Sequence, residues 1–304
     1  MQRLVGVFCG LVDDGGFIES GYRGAQDACR RFGMDFEYVD RIDISVDALV
    51  AAINAAAASK PDLMVVHGGR SDEAVAVAAP RYPDIRFLST HGETAGANHS
   101  CFTINQPESA FLAGALAGLL TRSGVVGHLS GIRIAPGLRS RAAYAAGVRH
   151  SNPNARLLTC FCGTQEDNAV TYRAAKAEIE AGVDVLYTML NGGRRGAIDA
   201  CRERRVAQIG NVRDWTMVEP DVFVASAIAD TGRLVFSWVG DVIEGNLPTG
   251  EVRRLGIEDS LAVSLVMAPQ VPAPVRARID AWTDDLKTGR LIFPVEYFGP
   301  EFEA

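Results

Sequence analysis

Short apolar runs alternate with longer amphipathic stretches along the first part of the chain. The apolar runs predict buried strands at Leu4–Cys9, Phe36–Val39, Leu63–Val66 and Ile85–Ser89. Helical spacing of apolar residues predicts helices at Ser20–Arg31, Val46–Ala58 and Asp72–Ala79. Short strands that alternate with helices in this way predict a parallel sheet covered on both faces.

The same pattern restarts after Ser123. It predicts strands at Val125–Leu129, Leu157–Phe161, Val183–Tyr187, Ala207–Ile209 and Val222–Ile228. It predicts helices at Ala142–Val148, Ala169–Ala181, Gly196–Arg204 and Arg233–Ile243. Toward the end of the chain it predicts strands at Val252–Ile257, Leu261–Met267 and near Leu291–Val295, and a helix at Pro274–Lys287.

The doubled pattern predicts an α/β fold of two Rossmann-like lobes joined by crossovers. We expect residues 1–121 and about 229–258 to form the N-terminal lobe. Residues 122–228 and about 259–304 should form the C-terminal lobe. Ligands of open α/β sheets bind outside the carboxyl ends of the strands, so we expect a ligand in the cleft between the lobes.

The charge balance and the hydropathy of the chain argue against some classes of binding partner and against a membrane-spanning segment. The 304 residues carry 30 Lys plus Arg against 37 Asp plus Glu, a formal net charge of −7. This balance disfavours nucleic acid binding, which needs clustered positive charge. The sequence has no run of about 18 apolar residues, so it predicts no transmembrane segment. It also shows no secretory signal at its start, which leaves a cytoplasmic chain or one whose export signal was removed.

Polar loops follow four of the predicted strands. They are VDDGGF (12–17), HGGRSD (67–72), NGGRRG (191–196) and NVRDWT (211–216). Paired glycines let a backbone approach a ligand closely, so these loops supply the candidate ligand residues His67, Arg70, Asn191 and Gly192. Asp13 and Asp14 would repel a phosphate, so the first loop favours a ligand with hydroxyl, amine or ring N–H donors.

Motifs for cofactors and catalysis are missing from the sequence. No GxGxxG follows the first strand, and no GxxxxGK[ST], HExxH or GxSxG motif is present. Of the five histidines, we place only His67 near the cleft. We therefore predict no catalytic residue, no metal site and no cofactor. An enzyme on a Rossmann-like scaffold remains an alternative.

Aromatic residues near the ends of the predicted strands point to a flat ligand. Phe17, Tyr22, Tyr187 and Trp215 all lie in or beside the polar loops. An aromatic ring stacks on a planar base with about 1–3 kcal/mol per contact. The sequence therefore predicts a ligand-stacking role for these four side chains, with core packing as the alternative for each.

Five segments of the chain resemble, in order, motifs of the basic membrane protein family, the purine-nucleoside receptors of bacterial ABC importers. DDGGFIESGYRGA (13–25) is similar to the family's D-x-[SG]-[FW]-N-x-S-x-x-x-G signature. The other four segments are INQPESAFLAGALAGLL (104–120), VGHLSGIRIAPGLRSRAAYAAGVR (126–149), VDVLYTMLNGGRRGAID (183–199) and IGNVRDWT (209–216). The resemblance covers nearly the whole chain.

This resemblance implies a type I periplasmic binding protein fold and a set of ligand contacts. Asp14 resembles the first-loop carboxylate that contacts the nucleoside, and Phe17 and Tyr22 lie where the family has ring-stacking aromatics. Asp214 resembles the carboxylate of the second lobe. The implied function is a receptor that delivers a purine nucleoside, nucleobase or similar flat heterocycle to an ABC permease, in the periplasm or at the membrane.

Three positions depart from the family motifs. Ile18 replaces an Asn, Trp215 replaces a Gln, and Ala229 stands where a Lys is usual. The loss of groups that would hold a ribose favours a free base or another flat heterocycle. Because some members of the family are cytoplasmic regulators without a signal, a cytoplasmic ligand-sensing regulator of the same fold is the alternative function.

Overall fold

The computed structural model describes residues 2–246 and 250–303. Up to Ile104 its elements are β1 (Arg3–Phe8), α1 (Phe17–Phe32), β2 (Asp35–Val39), α2 (Val46–Ala57), β3 (Leu63–His67), α3 (Ser71–Ala78), a 3₁₀ turn (Ala79–Arg81), β4 (Arg86–Thr90) and β5 (His99–Ile104). The next elements are α4 (Gln106–Leu120), β6 (Val125–Ser130), α5 (Ala135–Ser151), β7 (Arg156–Phe161), α6 (Asn168–Glu180), β8 (Val185–Met189), α7 (Arg194–Arg204) and β9 (Ala207–Val212). The last are β10 (Phe223–Ala229), α8 (Thr231–Ile243), β11 (Val252–Leu255), β12 (Val263–Met267) and α9 (Ala273–Lys287).

The chain divides into two compact units. Unit 1 comprises Met1–Ile104 and Asp230–Leu255, and unit 2 comprises Asn105–Ala229 and Gly256–Ala304. The first boundary lies earlier than the sequence predicted, because residues 105–121 belong to unit 2. The reason is that α4 packs closely on α5: a methyl group on Gly114 would lie 2.0 Å from the carbonyl oxygen of Tyr144.

Unit 1 contains a six-stranded sheet in the order β11-β5-β4-β3-β1-β2. Every adjacent pair in it is parallel, as the alternating pattern predicts. The residues of β3 are all buried, which is typical of a strand covered on both faces. The loops after β1, β3 and β4 therefore emerge side by side at the carboxyl edge of this sheet.

Unit 2 contains a six-stranded sheet in the order β12-β10-β9-β8-β6-β7. Its strands are parallel except β12, which runs antiparallel to β10. A side-chain cap helps to start the helix α6, where the Asp167 carboxylate accepts from the amides of Ala169 and Val170. The loops after β6, β8 and β9 emerge side by side at the carboxyl edge.

The predicted strand near Leu291–Val295 is wrong. Residues 289–303 form neither helix nor strand, although Phe293 stacks on Phe111 at 4.9 Å. The apolar residues of this segment are divided between packing and solvent, since Ile292 is 89% exposed. A short apolar run alone therefore gave a false strand signal.

Candidate functional site

Asp14 caps the N-terminus of α1 in unit 1. Its carboxylate accepts hydrogen bonds from the backbone amides of Gly16 (2.8 Å), Ile18 (3.1 Å) and Glu19 (3.1 Å). The side chain is buried, and this burial raises the pKa of Asp14 while the three hydrogen bonds oppose the shift. Amides at a helix start attract anions. The chain's own carboxylate occupies that position here, in agreement with the inference that no phosphate binds this loop.

Phe17 lies at the carboxyl edge of the first sheet against two histidine rings. Its ring centroid is 4.5 Å from that of His67 and 4.8 Å from that of His91. Phe17 is the first residue of α1, His67 is the last residue of β3, and His91 follows β4. Three adjacent strands thus bring these rings together, and Phe17 remains partly exposed.

Both imidazoles are held in the neutral form. Burial lowers the pKa of His67 to about 4 and the pKa of His91 to about 3. His67 bonds to the Thr90 hydroxyl (2.8 Å) and to the carbonyl oxygen of Phe17 (2.9 Å). At neutral pH the cluster therefore offers uncharged rings and hydrogen-bonding nitrogens rather than positive charge.

His91 is the residue of this cluster that the sequence reasoning missed. Its Nε2 is buried and has no hydrogen-bond partner in the described part of the chain. Its backbone has a φ of 62°, a left-handed conformation that is uncommon for a residue other than glycine. Such strain and unmet polar groups cluster at functional sites. Its position directly after a strand end was the available signal.

Tyr22 belongs to a different surface of unit 1. Its ring contacts Phe8, Phe36 and Tyr38, and the described ring contacts of Phe17 include none of these. Tyr22 lines a groove of about 760 Å³ beside α1 and the end of β2, together with Asp13 and other polar residues. The structure therefore does not bring Tyr22 into the Phe17 cluster.

Arg70 stands at the start of α3 with its side chain in solvent. It forms an ion pair with Glu73 at 2.8 Å, and both side chains are 52% exposed. Exposed pairs of this kind are worth about 0–1 kcal/mol. Arg70 can therefore turn toward a ligand at little cost in free energy. Its role as a ligand-binding residue stays a prediction.

Asn191 and Gly192 lie in the loop between β8 and α7 of unit 2. The amide of Gly192 donates to the Glu166 carboxylate at 2.9 Å, and the amide of Asn191 donates to the carbonyl oxygen of Gln165 at 3.3 Å. Gly192 is exposed and Asn191 is partly buried. The structure therefore places both residues at the carboxyl edge, where the sequence predicted them.

Asp214 lies at the same edge, in the loop after β9. Its Oδ1 accepts from the Thr216 amide (2.9 Å) and the Thr216 hydroxyl (2.6 Å). The residue is partly buried. A carboxylate has about four acceptor positions, so Asp214 keeps capacity for a donor from a ligand.

Tyr187 lies in the core of unit 2 and not at a strand end. The strand β8 ends at Met189, two residues beyond its predicted end, which places Tyr187 in the middle of the strand. It is fully buried and stacks on Tyr144 at 5.0 Å. Tyr187 therefore has no exposed surface that a ligand could contact, because its ring packs in the core instead of facing the loop.

Trp215 is also buried, with 7% of its surface exposed. Its indole N–H donates to the carbonyl oxygen of Asn211 at 3.0 Å. The guanidinium groups of Arg194 and Arg213 each lie 4.3 Å from its ring centroid, and Phe223 packs nearby at 5.8 Å. Residues of unit 2 thus supply the ring contacts that the sequence assigned to a ligand.

Metal-binding groups and membrane-spanning helices are both absent from the described residues. Within 2–246 and 250–303, no cluster of three or more His, Cys, Asp or Glu side chains could hold a metal ion. Over the same residues, none of the helices combines the length and apolar character needed to span a membrane.

Comparisons with known proteins agree on one family. A family model described as "ABC transporter substrate-binding protein PnrA-like" matches residues 1–280. Basic membrane protein A of Borreliella burgdorferi is 23% identical over 293 residues, which cover 94% of this chain and 85% of that protein. A purine-binding protein of Brucella abortus is 20% identical over 84% of this chain and 71% of its own length.

Solved structures agree on the fold. A solute-binding protein of an ABC transporter system from Aeropyrum pernix superposes with a TM-score of 0.86 at 19% identity, covering 97% of this chain and 94% of that one. At this identity the likeness shows the fold alone. With the two α/β units and their parallel-rich sheets, it confirms the predicted type I periplasmic binding protein fold.

Proposed function

This chain belongs to the family of PnrA-like ABC transporter substrate-binding proteins, and from that premise we propose that it binds a purine base, a purine nucleoside or a similar flat heterocycle. The relative from Brucella abortus is named a purine-binding protein, which supports this ligand class. We propose that the bound solute passes to an ABC permease, outside the cytoplasm, and that the chain catalyses no reaction.

The Phe17 cluster is the observation that carries the proposal. A partly exposed phenyl ring, backed by two imidazoles at 4.5 and 4.8 Å, offers a planar ligand one face for stacking. Stacking on an aromatic ring contributes about 1–3 kcal/mol per base. Since both imidazoles are neutral at pH 7, the cluster suits an uncharged ring better than an anion.

His91 adds a hydrogen-bonding group to this stacking surface. Its Nε2 is buried without a partner among the described residues, and an unpaired buried polar atom costs about 1–3 kcal/mol. A ring N–H or a ring nitrogen of a heterocycle would satisfy it, depending on the tautomer. We therefore assign His91 to reading the polar edge of the ligand.

Unit 2 contributes polar groups of the kind that nucleosides and bases require. We assign ligand hydrogen bonds to Asp214, whose Oδ2 has no partner within the described residues, and to the side chain of Asn191. Carboxylates accept from pairs of hydroxyls and from ring N–H groups, and charged hydrogen bonds are the stronger ones. Tyr187 and Trp215 are left out of the proposed site because both are buried.

A thermal-shift panel of purine nucleosides, nucleobases and flavins tests the ligand class. A ligand at about 100 times its Kd should add about 2.7 kcal/mol to the free energy of unfolding. The best compound is then titrated by calorimetry into Asp214→Ala, where we expect affinity about 10- to 100-fold weaker. Asp280→Ala, an exposed carboxylate on α9, is the matched control and should bind as the wild type does.

Two outcomes would change the proposal. If no purine or other flat heterocycle stabilises the protein, the ligand class is wrong. If Asp214→Ala binds normally, that carboxylate is not part of the site. Binding without any effect on uptake through a co-expressed permease would favour the ligand-sensing regulator, which shares the binding step but not the delivery.

A further inference from the structure

Two arginines of unit 2 hold one carboxylate. Oε2 of Glu301 accepts from Nη1 of Arg133, and Oε1 accepts from Nη1 of Arg141. The Arg141 side chain is only 6% exposed, whereas that of Arg133 is 56% exposed. A buried guanidinium requires a counter-ion. Glu301 therefore supplies the counter-ion of the buried Arg141 guanidinium.

Aromatic rings fix the orientation of this arginine pair. The guanidinium carbons of Arg133 and Arg141 lie 5.3 and 5.1 Å from the ring centroid of Phe161, the last residue of β7. The ring of Tyr297 lies 4.6 Å from the same atom of Arg141. An arginine held in this way presents a rigid planar fork that matches phosphate and carboxylate groups.

The pair keeps unused donors. Nε of Arg141 is buried and finds no hydrogen-bond partner in the described part of the chain. The two oxygens of Glu301 satisfy the two Nη1 groups but leave this Nε–H without an acceptor. An anion with three or four oxygens could engage both Nη1 groups and the Nε–H. The pair also lies after β6 and beside the end of β7, at the edge where α/β sheets bind ligands.

The segment that carries Glu301, residues 297–302, crosses this edge as a strap. It contains neither helix nor strand, and Phe298 is 89% exposed. Beyond the ion pairs, three contacts attach the strap. The Tyr297 ring packs against Arg141, the Phe302 amide donates to the carbonyl oxygen of Thr159 at 2.8 Å, and Phe302 is partly buried against the core of unit 2. Segments with so few buried contacts open locally without global unfolding.

We propose that Arg133 and Arg141 form a binding site for a phosphate or carboxylate group, which Glu301 fills while the strap is closed. An external anion and Glu301 compete for the same two guanidinium groups. Binding of the anion therefore opens the strap, and removal of the Glu301 carboxylate exposes the site. This inference does not depend on which heterocycle the Phe17 cluster binds.

Limited proteolysis tests the strap. Tyr297 is partly buried with its ring against Arg141, so chymotrypsin cleaves after Tyr297 only when the segment opens. The cleavage rate at this bond therefore reports the open population. We expect Glu301→Ala to be cleaved at least about tenfold faster than the wild type, because a lost charged contact to a buried arginine favours opening. Glu303→Ala, an exposed carboxylate on the same stretch, should be cleaved at the wild-type rate. Equal rates in all three proteins would contradict the strap.

Anion exchange tests the site. At constant ionic strength, replacing chloride by phosphate or by acetate should raise the Tm of Glu301→Ala in a saturable way, and the larger response identifies the preferred group. The Tm of Glu303→Ala should change little. Adding Arg133→Gln or Arg141→Met to Glu301→Ala should remove the response. If Glu301→Ala responds no more than Glu303→Ala, the arginine pair is an internal ion pair only, and the proposed site is wrong.

Discussion

Asp14 offers a sharp test of what the carboxylates of the first loop do. The adjacent residues Asp13 and Asp14 carry the same charge, but Asp13 is exposed whereas Asp14 is 7% exposed and binds the amides of α1. We predict that Asp14→Ala destabilises the protein strongly and that Asp13→Ala does not. The pair of variants therefore separates helix capping from the general charge of the loop.

The size of the effect follows from the three backbone hydrogen bonds. Loss of a capping side chain costs about 0.5–2 kcal/mol, and each buried N–H left without a partner costs about 1–3 kcal/mol. Water can reach part of this loop after truncation, because Gly15 is partly exposed. We therefore expect Asp14→Ala to lower the free energy of unfolding by about 2–4 kcal/mol, and Asp13→Ala by less than about 0.5 kcal/mol.

Urea denaturation of both variants at pH 7, followed by far-UV circular dichroism, measures this difference. The midpoint should fall for Asp14→Ala at an unchanged slope, since the folded and unfolded surfaces stay the same. Equal midpoints for the two variants would refute the capping role. A stable Asp14→Ala protein that had lost ligand affinity would instead support Asp14 as the direct ligand contact that the family resemblance implies.

Three further predictions concern unit 1 and the core of unit 2. Burial lowers the pKa of His67 to about 4, below its unfolded value of about 6.5. The contribution of His67 to the free energy of unfolding is therefore fully present above pH 6.5 and should fall by about 3 kcal/mol as the pH drops to 4; the difference between the urea midpoints of the wild type and His67→Gln, followed against pH, isolates this contribution. Tyr187→Phe should keep the free energy of unfolding unchanged and the ligand affinity within about twofold of the wild type, because the hydroxyl is buried without a partner in the described residues. A clear loss of affinity by calorimetry would return Tyr187 to the proposed site. Gly24→Ala should lower the free energy of unfolding by about 1–3 kcal/mol or more, since its methyl group would lie 2.2 Å from the carbonyl oxygen of Gly232. An unchanged Tm would show that α1 and α8, which carry these two glycines, can move apart to make room for the methyl group.

The fold could be predicted because the strands are buried on both faces. Apolar runs such as Leu63–Val66 stand out between polar helices, and the structure has β3 at Leu63–His67. The strand β5 (His99–Ile104) was missed because its apolar residues are interrupted by His99, Ser100 and Thr103. His99 is buried, and its Nε2 hydrogen-bonds to the Ser89 side chain at 2.7 Å, a contact that no local pattern reveals.

Errors in the predicted strand ends mattered most for candidate site residues within one or two positions of those ends. The end of β3 was predicted to within one residue, and the structure brings His67 to Phe17 as expected for one cluster. The end of β8 was placed two residues early, so Tyr187 was predicted to be the last residue of the strand, beside a loop, although it lies in mid-strand. In the same way, β4 was ended at Ser89 rather than Thr90, which hid the position of His91 beside Phe17.

Burial of aromatic side chains was the hardest property to infer. Trp215 and Phe17 both stand among polar and small residues in the sequence, yet Trp215 is 7% exposed and Phe17 is partly exposed. The difference comes from partners distant in sequence, since Phe223 and Arg194 cover the indole. Tertiary contacts of this kind decide whether a ring near a strand end packs inside or faces a ligand.

Calorimetric titration of the best heterocycle from the thermal-shift panel into Phe17→Leu tests the central claim most directly. Phe36→Leu is the matched control, because Phe36 is a partly buried ring of unit 1 that contacts Tyr22 and Tyr38. The stacking surface predicts a Kd about tenfold or more weaker for Phe17→Leu, with Phe36→Leu unchanged. Equal affinities for both variants and the wild type would contradict the claim that the Phe17 cluster binds the ligand.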